Sequence, residues 1–193
     1  DDFKIEVDAF KTCNINERQK FTDKGDVAIV GYIASTDTKI GKSGDKYTIF
    51  SLEDFSDHIE LGLFKNNYIK YKNYVDQTGN VLYVKGNYQT DRNDPERKRF
   101  WVSDIQLLSE MREKKSMKIT LNIALSSLNK EFIKSIDEVI KANPGKDRLV
   151  LKIVEETENF DVLFRTQTAC VKADKPVLNT LGKFGDVSLK VAG

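Results

Sequence analysis

From Gly25 onward the hydrophobic pattern has a period of two. In DVAIVGYIAST, Val27, Ile29 and Ile33 alternate with Ala28, Val30 and Tyr32, so both faces are apolar. A strand inside a closed barrel shows this pattern. The runs at 47–52, 58–64, 81–89 and 100–108 read as further strands. Between the third and fourth strands, Asn66 to Val75 places Tyr68, Tyr71, Tyr74 and Val75 on one helical face, and Thr78-Gly79-Asn80 ends the helix. Gly31 and Gly86 fall in mid-strand, where glycine marks a bend or a close backbone approach. Asp54 to Asp57 reads as a turn closed by Asx side chains.

Strand, strand, strand, helix, strand, strand is the order of the oligonucleotide/oligosaccharide-binding (OB) barrel. A second pattern follows the charged stretch SEMREKKS. MKITLNIAL alternates as a strand, and Asn129 is placed to cap a helix with Leu128 and Ile133 as a staple. Phe132, Ile133, Ile136, Val139 and Ile140 mark one face of that helix, and Pro144-Gly145 stops it. Residues 148–156 and 159–167 read as a hairpin, Asp174 caps a short helix with Leu178 and Leu181 inward, and 186–191 closes with a strand. At the start, Phe3, Val7 and Phe10 share a helical face, and 13–23 is polar. The expected fold class is therefore mainly β with α+β: a five-stranded OB-fold barrel with one helix, then a small α/β domain. The expected divisions are 1–21, an amphipathic helix and linker from an upstream region; 22–108, the barrel; 109–116, a linker; and 117–193, the α/β domain.

Composition narrows the function classes. Net charge is +1, with hydrophobic residues at 39% and charged residues at 32%. Residues 22–110 carry 12 basic against 14 acidic side chains, whereas 111–193 carry 15 against 11. Any anion site in the barrel must then be a local cluster rather than a global field. No apolar run is long enough to span a bilayer. The chain does not begin with Met and reads as a piece of a longer protein. Cys13 and Cys170 fit neither a metal spacing nor a disulfide framework, and both thiols are expected to be structural, in a reducing cytoplasm.

The stretch DTKIGKSGDKYTIFSLED carries the candidate chemistry. Lys39, Lys42 and Lys46 lie in the first strand connection, and Arg92, Arg97, Lys98 and Arg99 lie in or beside the fourth. In an OB barrel these connections flank the binding face. They can hold a phosphodiester backbone, with Tyr47 or Tyr32 as a stacking ring. The competing reading is a pair of solvated loops whose lysines and arginines neutralise Asp37, Asp45, Asp91, Asp94 and Glu96. Phe50, Phe64 and Trp101 are expected in the core. Asp54 and Asp57 read as turn formers rather than metal ligands, His58 has no nucleophile partner in a motif, and GKSGDK is no P-loop. No catalytic constellation and no cofactor site is read.

The motifs resemble a known family. Gly31, then Thr38-Lys39-x-Gly41-Lys42, Leu52-Glu53-Asp54, Phe64, Tyr68-x-Lys70-Tyr71 and Val84-x-Gly86 resemble the barrel near the C-terminus of the bacterial DNA polymerase III alpha subunit. Ser43-Gly44-Asp45 departs from the family's shorter run. The helix at 129–140, Pro144-Gly145 and the closing VSLKV resemble the region that follows the barrel there. The resemblance implies a non-catalytic fragment of a DNA-directed DNA polymerase in a bacterial cytoplasm. It implies single-stranded DNA contact through Lys39 and Lys42, and docking of the clamp-loader tau subunit by the C-terminal domain, with other replisome subunits reached through the parent chain. Leu181, Lys183 and Phe184 are the candidate partner contacts. A purely protein-interacting module and a tRNA-anticodon-type OB module are the alternatives.

Overall fold

The computed structural model describes residues 4–21, 25–91, 94–155 and 160–192. The chain divides into two compact units, Phe10–Lys114 and Asp1–Ala9 with Lys115–Gly193. Each is described by itself.

The first unit holds β1 (Val27–Ile40), β2 (Lys46–Glu53), β3 (His58–Leu63), helix α2 (Lys65–Val75), β4 (Val81–Asp91), β5 (Asp94–Leu107) and helix α3 (Leu108–Lys114). The strands form one antiparallel sheet in the order β3-β2-β1-β4-β5. This is the expected OB order, with α2 between β3 and β4. The sheet is coiled but not closed by a ladder: β3 and β5 approach each other across an open seam. Alternation along β2 sends Thr48, Phe50 and Leu52 inward, where they join Ile29, Ile33, Leu61, Leu63, Leu82, Val84 and Ile105. The mid-strand glycines have the expected cause. A Cβ on Gly31 would lie 2.3 Å from the Glu53 carbonyl oxygen, and one on Gly86 2.3 Å from that of Trp101. Crossing backbones leave no room for a side chain at either place.

Helix α2 fills the floor of this sheet with Tyr71 and Val75. The Tyr71 hydroxyl donates to the Asp104 carboxylate at 2.9 Å and accepts from Lys70 Nζ at 2.6 Å. Burial raises its pKa first, with Asp104 adding to the rise and Lys70 opposing it.

Residues 13–21, expected as linker, are structured instead. Ile15–Phe21 forms a 3-10 turn, and Cys13 and Ile15 are buried in the barrel core. The polar composition concealed this because the anchoring is through hydrogen bonds. The Asp54 carboxylate accepts from Ile15 N at 2.8 Å as well as from Ser56 N at 2.7 Å and Asp57 N at 3.0 Å. Arg18 donates to the Ile15 carbonyl at 2.7 Å and pairs with Asp57 at 2.8 Å.

The second unit holds helix α1 (Lys4–Phe10) up to Ala9, then β6 (Met117–Ala124), α4 (Lys130–Ala142), β7 (Pro144–Glu155), β8 (Phe160–Val171), α5 (Lys175–Leu181) and β9 (Asp186–Val191). Its sheet runs β8-β7-β6-β9, with β6 and β7 parallel across α4 and the other pairs antiparallel. Both predicted caps form. Asn129 accepts from Phe132 N at 2.8 Å and Asp174 from Val177 N at 3.2 Å. Phe132 and Ile136 face the core, but Ile133 is exposed, so it is not part of the apolar face expected of that helix. The buried Asp147 carboxylate accepts from Met117 N and Ala173 N, both at 2.8 Å, and so ties β6 and the β8–α5 connection to β7. Cys13 is buried, and burial raises its thiol pKa; Cys170 is exposed, which corrects the expectation that both thiols are structural. Among the described residues no helix is long and apolar enough to cross a membrane.

Candidate nucleic-acid interface

The outward face of β2 carries Tyr47, Ile49, Ser51 and Glu53, because Thr48, Phe50 and Leu52 face the core. Tyr47 stacks on Phe64, with ring centroids 5.3 Å apart and planes 21° from parallel. Gly62 makes this possible, since a Cβ there would lie 2.4 Å from the Phe64 ring. Lys65 turns the chain into α2 with φ at +49°. A non-glycine residue holds such a φ only where surrounding packing fixes it. Phe64 is 44% exposed and Trp101 of β5 is 43% exposed. Both line a cleft of about 490 Å³ across the β3–β5 seam, together with Arg18, His58, Lys98 and Arg99. The expectation that Phe64 and Trp101 are core residues is thus corrected. Phe64 lies just past the last inward position of β3, and Trp101 occupies an outward register of β5, between inward Val102 and half-buried Phe100.

The first connection is shorter than it reads in the sequence. Pairing runs to Lys39↔Tyr47 and Ile40↔Lys46, and only 41–45 turn. Ser43 Oγ donates to Asp45 at 2.8 Å within that turn. Cross-strand partners share a face, so Lys39 stands beside Tyr47. Lys46 points to the opposite face, one residue out of phase. Lys42 is exposed at the tip. Lys39 pairs with Asp37 at 3.0 Å, and the hydrogen bond to that carboxylate raises its pKa. The fourth connection is shorter too: β4 and β5 pair through Gln89↔Arg99 and Thr90↔Lys98, where a polar loop was expected. Lys98 and Arg99 are exposed on the cleft. Arg92 and the side chain of Arg97 lie outside the described residues.

Tyr32 is exposed and shares the outward face, but its hydroxyl donates to Glu53, the first cause of its raised pKa. The Tyr88 hydroxyl is buried with no partner, and burial pushes its pKa up to about 12. Its ring packs edge-on against Phe100. Among the described residues no group of His, Cys, Asp and Glu is placed to hold a metal ion.

In the second unit, Leu181 is fully buried, so its side chain serves the core and not a surface. Phe184 packs edge-on against Phe132 at 5.8 Å, and Lys183 is exposed. Capped α4, the β7–β8 hairpin and the closing α5–β9 segment are the parts that the motifs had pointed to. Residues 119–192 match the family described as DNA polymerase III alpha subunit, C-terminal domain. The match covers almost all of the second unit's later segment, and it agrees with the resemblance seen in the motifs to a C-terminal region of DNA polymerase III alpha. No curated protein matches the chain in sequence. Among solved structures, the mitochondrial single-stranded DNA binding protein Rim1 from S. cerevisiae is 17% identical with a TM-score of 0.36, over 45% of this chain and 95% of that one. Asparaginyl-tRNA synthetase from Pyrococcus horikoshii is 14% identical with a TM-score of 0.36, over 49% of this chain and 21% of the synthetase. Likenesses at this level carry neither ligand nor activity to the chain.

Proposed function

We propose that this chain is a non-catalytic C-terminal region of a DNA polymerase III alpha subunit, and that its barrel binds single-stranded DNA with little base preference. The observation that carries this reading is the Tyr47–Phe64 stack beside Trp101, three aromatic rings on one outward face with cations around them. An exposed ring is a platform for any base, because every base has a π-face. Lys39, Lys42, Lys98 and Arg99 supply phosphate contacts around the rings, while Lys46 adds only to the general field. The C-terminal domain docks a replisome protein, for which the clamp-loader tau subunit is the reading that the motif resemblance implies.

The first test is fluorescence anisotropy of the whole chain with oligo-dT. Stacking contributes about 1–3 kcal/mol per base, so Y47A/F64A/W101A lowers affinity at least tenfold. K39S/K42S weakens binding at low salt and flattens its salt dependence. An aromatic triple variant that is folded by circular dichroism and binds as well as the parent sinks the proposal for the barrel. Calorimetric titration with the tau subunit tests the docking reading separately; the absence of binding at micromolar concentrations would remove it.

A further inference from the structure

The strands of the second unit's sheet alternate between two faces. Met117, Ile119, Leu121, Leu149 and Leu189 point to one of them and are buried. On the other face, Lys118 of β6 is in register with Arg148 of β7 and with Lys190 of β9, and Arg148 and Lys190 are exposed. Three cations thus stand in one row across three strands. Lys118, Lys146, Arg148 and Ser116 line a depression of about 230 Å³ at this end of the sheet. The next row is Ser188, Thr120 and Val150, again in register, and there Val150 is buried, so the accessible strip is the cation row at this end of the sheet.

This row carries a cost. Like charges directly opposite one another destabilise a sheet, and here both neighbouring pairs are alike. Among the described residues no carboxylate pairs with Lys118, Arg148 or Lys190. The nearest acid in sequence, Asp147, points the other way and accepts from the backbone amides of Met117 and Ala173. An uncompensated row of cations on an ordered sheet calls for an anion from outside.

We propose that this row is a second contact for the phosphodiester backbone of nucleic acid, on the C-terminal domain and separate from the barrel face. The donors on offer are ammonium, guanidinium and hydroxyl groups, the side chains that hold phosphate and sugar oxygens without reading bases. An acidic protein segment is the poorer fit. Protein docking draws its energy from aromatic and large aliphatic anchors, and the apolar side chains around this depression are Met117, which is buried, Val191, Ala192 and Cys170, with no aromatic ring among them.

The test uses the whole chain, oligo-dT and a salt titration. Each single-strand phosphate contact contributes about 0.7 to the slope of log K against log salt. K118S/R148S/K190S therefore lowers that slope by about 2, while K118R/K190R keeps it. The same substitutions placed in Y47A/F64A/W101A lower the slope by the same amount, because the aromatic variant keeps the barrel's own cations. The two sites are thereby scored apart: loss of the barrel reading leaves the slope change in place. Lysine acetylation of the unsubstituted chain reads the site without any variant, and oligo-dT is expected to protect Lys118 and Lys190. An unchanged slope in a folded triple variant, or no protection of either lysine, overturns the proposal. So does binding of poly-glutamate through these residues when oligo-dT and duplex DNA do not bind there.

Discussion

The outward face of the barrel and the cation row of the C-terminal sheet handle charge in opposite ways. On the barrel, cations stand next to acids. Lys39 is held by Asp37, Arg18 by Asp57 and Lys85 by Asp26, and Phe64 and Trp101 line the cleft that Arg18 also lines. On the C-terminal sheet, the cross-strand row Lys190–Lys118–Arg148 has no acid partner among the described residues and no ring beside it. A ring-bearing face attracts a strand by stacking as well as by charge, so part of its affinity survives added salt. A row of unpaired cations attracts it through released counterions and loses affinity steeply with salt. Net charge alone, +1 for the chain, hides this division.

The comparison can be broken at Gly62. A valine there meets the Phe64 ring, which must swing off Tyr47. Single-stranded DNA affinity is expected to fall about tenfold, close to the loss of one stacked base, with the salt slope unchanged. A fall in slope instead would show that the rings only position the lysines. It can be sharpened at Asp37. D37N releases Lys39 for phosphate, so affinity at low salt rises roughly two- to threefold and the slope steepens by up to about 0.7. Equal affinities across the salt range would mean that the Lys39–Asp37 pair does not compete with the ligand.

The sequence made the fold legible where period and punctuation agree. The two-residue alternation of 27–33 and 47–52, the Tyr71–Val75 face and the crowded glycines all reappear where expected. Asn129 and Asp174 cap the helices that their positions predicted. The site was less legible. Phe64 and Trp101 look like core residues because composition cannot say which side of a strand an aromatic takes, and a one-residue change of phase reverses it. Tyr47 and Tyr32 are both candidate rings in the sequence, where strand register alone decides the face; pairing with Lys39 puts Tyr47 outward. Asp54, quoted as part of a family motif, anchors Ile15 across 39 positions of sequence. No local pattern announces such a contact. The cation row on the C-terminal sheet was invisible for the same reason: Lys118, Arg148 and Lys190 are far apart in sequence, and only strand register brings them together.

The smallest expected effect concerns acid. Asp57 sits against Arg18, and that hydrogen bond is the main reason its carboxyl pKa lies below the ordinary 3.8, with the His58 backbone amide adding to it. A carboxylate whose folded pKa is depressed contributes stability above its unfolded pKa and loses it as pH falls through the folded value. At neutral pH, D57N is therefore less stable than the parent in urea. As pH falls through the folded value the parent carboxyl is protonated as well, and the gap closes. The pair is well exposed, so the gap is small even at its widest. The C-terminal row supplies the control. Arg148 has no carboxylate to lose, so R148Q is expected to change stability by the same amount at both pH values, and in the favourable direction because it removes a like-charge pair with Lys118. A D57N gap that persists unchanged into acid would mean that Asp57 acts there as a hydrogen-bonding side chain and not as a charge. A pH-dependent gap at R148Q would place an acid beside the row and remove the contrast between the two faces.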